Sequence, residues 1–221
     1  MKKLLSLSVL TLLVATACHH GMRAEVKGSG NRQTQKREIA PFTSISAEGA
    51  FTIEVVCQKD VGLEVEGDDN VLPLVTTEVS SNVLHLNNSK SYAVNQPIVV
   101  RISVPNLEGL TVNGAGKLDI TQLENERFEI DANGAPSINV SGSTKLVDID
   151  TNGAAKIDTH NLRAARAVVD SKGVSKIDLG VSDQLDVTVS GPSQVTYRGD
   201  PVVNKTIHGP GKIEKRRNEG A

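Results

Sequence analysis

A fragment near the middle of the chain recurs down its length at almost constant spacing. The copies read LTVNGAGKLDI from residue 110, IDANGAPSINV from 130, IDTNGAAKIDT from 149, VDSKGVSKIDL from 169 and VTVSGPSQVTY from 187, with a degenerate IHGPGKIEK from 207. Aligned on the central glycine, they place Gly114, Gly134, Gly153, Gly173, Gly191 and Gly209 at steps of 20, 19, 20, 18 and 18 residues. An earlier copy, ISAEGAFTIEV around Gly49, lies 65 residues before Gly114, so the stretch between them reads as an insertion. An apolar residue stands four before the glycine (Ile45, Leu110, Ile130, Ile149, Val169, Val187) and another four after it (Ile53, Leu118, Ile138, Ile157, Ile177, Val195, Ile213); Lys205 breaks the first rule in the last copy. A period this short excludes propeller blades and helical hairpin repeats and predicts a solenoid with one coil per repeat. Coils stacked ~4.8 Å apart would set each apolar position over its equivalent, forming internal Ile, Leu and Val ladders.

The residue before the glycine is Asn113, Asn133 and Asn152 in three copies. Asn-Gly suits a tight corner that needs left-handed backbone angles, but it is also the strongest short hairpin signal, so an array of hairpins is the structural rival. One glycine corner at nearly constant pitch favours coils. The expected fold is all-β, with coils of about 19 residues over 105–213. In the preceding segment 51–104, FTIEVVC, VGLEVEG, VTTEV, NVLHLNN and PIVVRISV are joined by short turn-like spacers, and irregular antiparallel hairpins are expected. Pro73 limits the best helical candidate, DNVLPLV, to about a turn.

At the N-terminus Lys2 and Lys3 precede an apolar run from Leu4 to Val14 that is too short for a membrane span and ends in Ala15-Thr16-Ala17-Cys18. A cysteine after small residues at this place resembles the lipobox of bacterial lipoproteins. Residues 1–17 then form the signal peptide, and Cys18 is acylated and becomes the mature N-terminus; ordinary cleavage after Ala17 is the alternative. Residues 18–38 are polar and aperiodic and read as a flexible tether, with His19 and His20 too isolated to make a metal site. The other cysteine, Cys57, lies in an apolar strand and reads as a small buried hydrophobe.

The run VRISVPNLEGLTVNGAGKLDI, preceded by VGLEVEGDDNVLPLVTTEVSSNVLHL and followed by the NGA copies, resembles the head GIN domain family of putative auto-transporter adhesins. The resemblance covers roughly residues 39–215, leaving a polar tail at 216–221. It implies a right-handed parallel β-helix in an exported bacterial protein and brings no catalytic motif.

Strand alternation turns Lys117, Lys156 and Lys176 outward three residues after the glycine, and Asp119, Asp158 and Asp178 five after it, as parallel rows of opposite charge. These six residues are the candidate binding strip for a polyanion, a glycan or cations. The plainer reading is a solvated face whose unlike charges pair between coils. A second row, Asp131, Asp150 and Asp170, invites Ca²⁺ as a bridge, but the glycine-aspartate nonapeptide of calcium β-rolls is missing, and neither metal nor cofactor is expected. His85, His160 and His208 occupy unrelated repeat positions, and no hydrolytic or phosphate-binding motif stands out. With 2% aromatics, no Trp and a net charge of −2, the chain lacks stacking platforms and a basic field for nucleic acid.

The expectation is a non-enzymatic lipoprotein of the cell envelope, anchored in the outer membrane with the periplasmic side favoured, that displays an adhesion, binding or scaffold surface. Its partners would be the membrane through the anchor and an envelope glycan or protein, with oligomerisation through open coil edges a further option. A carbohydrate-binding or carbohydrate-active β-helix is the alternative.

Overall fold

The structure is a computed structural model that describes residues 25–216; Cys18, His19 and His20 lie outside the described residues. Strands run β1 (Val26–Lys27), β2 (Arg32–Lys36), β3 (Ser44–Gly49), β4 (Thr52–Cys57), β5 (Gly62–Asp68), β6 (Val75–Ser80), β7 (Val83–Asn88), β8 (Tyr92–Ala93) and β9 (Val99–Val104). They continue as β10 (Gly109–Gly114), β11 (Lys117–Gly134), β12 (Ser137–Gly153), β13 (Lys156–Gly173), β14 (Lys176–Ser190), β15 (Gln194–Arg198), β16 (Val202–His208) and β17 (Lys212–Lys215).

From β10 onward every pairing is parallel and each repeat lies on the next, which excludes the hairpin array. The apolar row before the corner runs Ile45, Leu110, Ile130, Ile149, Val169, Val187 in unbroken register and ends on Lys205. The row after it runs Ile53, Leu118, Ile138, Ile157, Ile177, Val195, Ile213. In-register stacking forces this chemistry, because a side chain inside a coil has its own equivalents above and below it.

Glycine is required at the corner for two reasons. Gly153 has φ +138°, and a Cβ there would stand 2.2 Å from the carbonyl oxygen of Gly134 in the neighbouring coil. That same carbonyl accepts the Ala154 N–H at 2.7 Å, so the coils are clamped together at the corner. The asparagines before the glycines keep ordinary negative φ. Their role is lateral, as in the Asn133 amide that donates to Asn113 Oδ1 at 3.1 Å.

Segment 51–104 contains the expected antiparallel strands, in the pairs β5–β9 and β6–β7, but joins most of them otherwise than by hairpins. Only β6 and β7 form one, through Ser81 (φ +51°) and Asn82 (φ +63°), the two positive central angles of a type I′ turn. β4 and β5 do not pair. β9 lies between them, parallel to β4 and antiparallel to β5. With β7 parallel to β3, the segment builds a further coil beneath the first: Leu84 stacks on Ile45 and Val100 on Ile53, extending both apolar rows. An open end would leave those rows in water, so burying them favours this arrangement over an excursion from the array. Pro73 is the second residue of the 3₁₀ turn Leu72–Leu74 that joins β5 to β6.

Residues 25–38 of the expected tether contain β1 and β2. β2 pairs antiparallel with β5, and the Arg37 guanidinium donates to the carbonyls of Val75 (2.6 Å) and Leu72 (2.9 Å). An edge strand exposed on both faces needs no apolar alternation, which is why this segment reads as linker. Cys57 is fully buried, and burial pushes its thiol up to about 11, consistent with a core residue.

Near the corner the core contains a polar relay. Ser175 Oγ donates to Thr151 Oγ1 (3.0 Å), the Thr151 and Ser171 hydroxyls meet at 2.9 Å, Ser171 donates to Ser193 (2.9 Å), and Ser193 donates to the Gly173 carbonyl (3.0 Å). All four hydroxyl residues are buried. Ser171→Ala cuts the relay in the middle and is expected to cost about 1–3 kcal/mol, the penalty of stranding buried hydroxyls. Urea unfolding should show this loss, whereas exposed Ser182→Ala should change stability by less than about 0.5 kcal/mol.

Candidate binding surface

Lys117, Lys156 and Lys176 lie on one outer row of the solenoid, with Ser137 between the first two. Asp119, Asp158 and Asp178 lie on the adjacent row, with Asn139 between the first two. Among the described residues, pairing of unlike charges between coils is limited on these rows to Asp178 and Arg216, which follows β17. In-register stacking puts lysine over lysine or serine and aspartate over asparagine or aspartate, so the nearest unlike charge is two residues along the same strand. Lys117 thus pairs with Asp119 (3.1 Å) and Lys212 with Glu214 (2.8 Å). Asp178 turns to Arg216 (3.3 Å).

Asp158 takes a partner that the sequence reading left unassigned. It accepts both the backbone N–H of His160 (3.1 Å) and the His160 ring Nδ1. Two residues apart on a strand is the spacing that shares a face, so alternation alone carried the signal. A carboxylate has no proton to offer, so Nδ1 carries the proton and Nε2 is the acceptor in the neutral ring. Burial raises the Asp158 carboxyl, but the two His160 hydrogen bonds outweigh it and hold it below the usual range. At Asp119 burial is likewise outweighed, by the Asn139 amide (2.6 Å) and by Lys117.

Asp119, Asn139, Asp158 and His160 line a recess of about 230 Å³ together with Thr121, Ser141 and Asn161 over a floor of Ile120 and Val140. Its origin is a mismatch of coil length. Between the partners Ile120↔Val140 and Leu123↔Gly142 the first coil spends one residue more, and between Asn139↔Asp158 and Ser141↔Asn161 the third coil does the same. The middle coil is short by one residue against both neighbours, and the recess is that gap. A larger hollow of about 450 Å³ on the cap runs past Arg37 and Arg101, whose guanidinium groups are engaged by the Val75 carbonyl and by Glu54 and Glu66.

On a different face Asp131, Asp150 and Asp170 stack directly on one another. No group of three or more His, Cys, Asp or Glu suited to a metal ion occurs among the described residues. Burial raises the Asp150 carboxyl first, and the neighbouring Asp148 and Asp170 raise it further. A carboxyl raised in the folded state favours folding when protonated, and that contribution is lost as pH rises through the folded value. Asp150 is exposed and solvent screens the repulsion, so Asp150→Asn should stabilise the protein at neutral pH by only about 0.2–0.5 kcal/mol. The gain should vanish below a pH of about 4, where the wild-type carboxyl is also neutral; melting curves at both pH values check this.

The family profile described as "Putative auto-transporter adhesin, head GIN domain" matches residues 41–201, more than half of the chain. Among solved structures, a putative adhesin from Bacteroides fragilis superposes with a TM-score of 0.69 at 23% identity, covering 86% of this chain and all of that one. A putative lipid binding protein from Parabacteroides distasonis gives 0.56 at 21% identity, covering 88% of this chain and all of that one. A putative adhesin from Parabacteroides merdae gives 0.56 at 18%, covering 87% and 99%. At these identities the likeness concerns the fold. No curated protein matches the chain.

Proposed function

The chain belongs to the putative auto-transporter adhesin head GIN domain family, and from that premise we propose that the mature protein is a cell-envelope lipoprotein working by display. Acyl chains on Cys18 hold it in the outer membrane, on the periplasmic side, and the solenoid presents a stiff lateral surface to an envelope glycan or protein. The observation that carries this reading is the in-register stacking of outward rows over one continuous core, because it repeats the same surface chemistry at a fixed pitch along one molecule. Burying acyl chains is worth about 0.8 kcal/mol per CH₂, so two or three chains anchor almost permanently. Many anchored copies then convert weak single contacts into avidity gains of roughly 10²–10⁴.

Cys18→Ser tests the anchor. The variant should leave the membrane pellet for the soluble fraction and lose radiolabelled palmitate. A variant that stays processed and membrane-bound would sink the lipoprotein reading.

A further inference from the structure

We infer that the recess left by the short middle coil is a subsite for one ring of an uncharged, hydroxyl-rich saccharide. The assignment rests on the display reading and gives it a place and a ligand class.

The lining selects the ligand by what it can and cannot satisfy. Asp119 and Asp158 lie on strands two apart, so their backbones are about 9.5 Å apart, twice the ~4.8 Å strand spacing. A divalent cation binds oxygen at about 2.3–2.6 Å and cannot be shared across that gap without large movement of both side chains. An anion meets two carboxylates. An ammonium ion has nothing to accept the donors of Asn139 and Asn161, and each carboxylate is already engaged, Asp119 by Lys117 and Asn139, Asp158 by His160. The remaining capacity is mixed: carboxylate lone pairs, amide donors and acceptors, the second nitrogen of His160, and the Thr121 and Ser141 hydroxyl oxygens as acceptors, since their protons go to the Val55 and Ile120 carbonyls. Sugar hydroxyls donate and accept and match such a set. Lys117, His160 and Asn139 hold the two carboxylates in place before any ligand arrives, which lowers the ordering cost of binding.

The volume of about 230 Å³ lies below the range of drug-sized sites and admits a single ring. Without an aromatic platform the affinity rests on hydrogen bonds alone, so a dissociation constant on the order of 1 mM is expected for one site. The short coil is the cause of the site, since a residue gained there would bring its corner level with both neighbours and close the gap.

The test uses an array of uncharged and acidic di- and trisaccharides probed with the full chain, followed by amide-shift titration of the best uncharged binder. Binding should perturb the amides of Asn139, His160 and Asn161, and His160→Ala and Asn139→Ala should each weaken it at least tenfold while melting temperatures confirm that both variants fold. Ser141→Tyr, which fills the recess, should abolish binding and guards against a partial effect of the smaller changes. Signal from acidic sugars alone, no uncharged binder, or shifts elsewhere on the solenoid that survive these substitutions would each overturn the assignment. Membrane fractionation of Cys18→Ser reads the display proposal separately, so either can fail without the other.

Discussion

Gly153→Ala is expected to destabilise the fold by about 3–5 kcal/mol, from roughly 1–3 kcal/mol of backbone strain and a similar cost for the displaced neighbour. Gly153 combines φ +138° with a virtual Cβ at 2.2 Å from Gly134 O and 3.0 Å from Gly134 N. Those are backbone atoms of the adjacent coil, so the clash can be relieved only by parting the coils. Parting them stretches the Ala154 N–H bond to Gly134. Solenoid stability is carried by nearest-neighbour interfaces, so a defect at a central corner weakens the contact on which the coils beyond it depend. A fall in melting temperature of about 6–20 °C follows from 2–4 °C per kcal/mol in a chain of this size. Gly30→Ala separates the two causes: Gly30 has φ +81° with nothing within 4 Å of its virtual Cβ. It should cost only about 1–2 kcal/mol, the strain alone. Equal losses at the two sites would show that close approach between coils contributes nothing.

Phe128→Ala is the second large effect, expected at about 3–5 kcal/mol. Phe128 is completely buried and heads a row that continues through Val147, Ala167, Leu185 and Val203. Each member of the row is held by parallel backbone ladders to the coils on either side, so a layer cannot readily collapse into a hole left by the next. Val147→Ala in the same row removes fewer methyl groups and should cost roughly half as much. Chemical denaturation of both variants checks the ratio; a Phe128→Ala loss below that of Val147→Ala would mean that the site relaxes around the cavity.

Legibility in the sequence varied with how each feature is encoded. The two apolar rows and the glycine corners were readable because each is written repeatedly in similar letters. Lys117, Lys156 and Lys176 were assigned to an outer row on the same grounds, but their partners were not, since pairing depends on which charge is nearest once coils stack. Strand β2 left no signal in the sequence because Arg32–Lys36 is held by main-chain bonds to β5 and by ion pairs such as Arg32–Glu66 at 3.1 Å. Neither leaves a periodic trace. The buried hydroxyl relay was hidden because Thr151 and Ser171 look like polar decoration until their inward row is known.

The sequence by itself determined an all-β repeat with glycine corners and aliphatic rows at a constant pitch and favoured coils, because in-register stacking demands like residues at that pitch; the parallel pairings then decided coils over hairpins. Only the tertiary structure decided that segment 51–104 folds back as a coil beneath the first. That depends on pairing Leu84 with Ile45 and Val100 with Ile53 across about 40 residues or more of chain, for which no local signal exists. The recess was decided in the same way. A coil one residue short is unremarkable in the linear sequence and becomes a cavity only when longer coils lie on both sides of it.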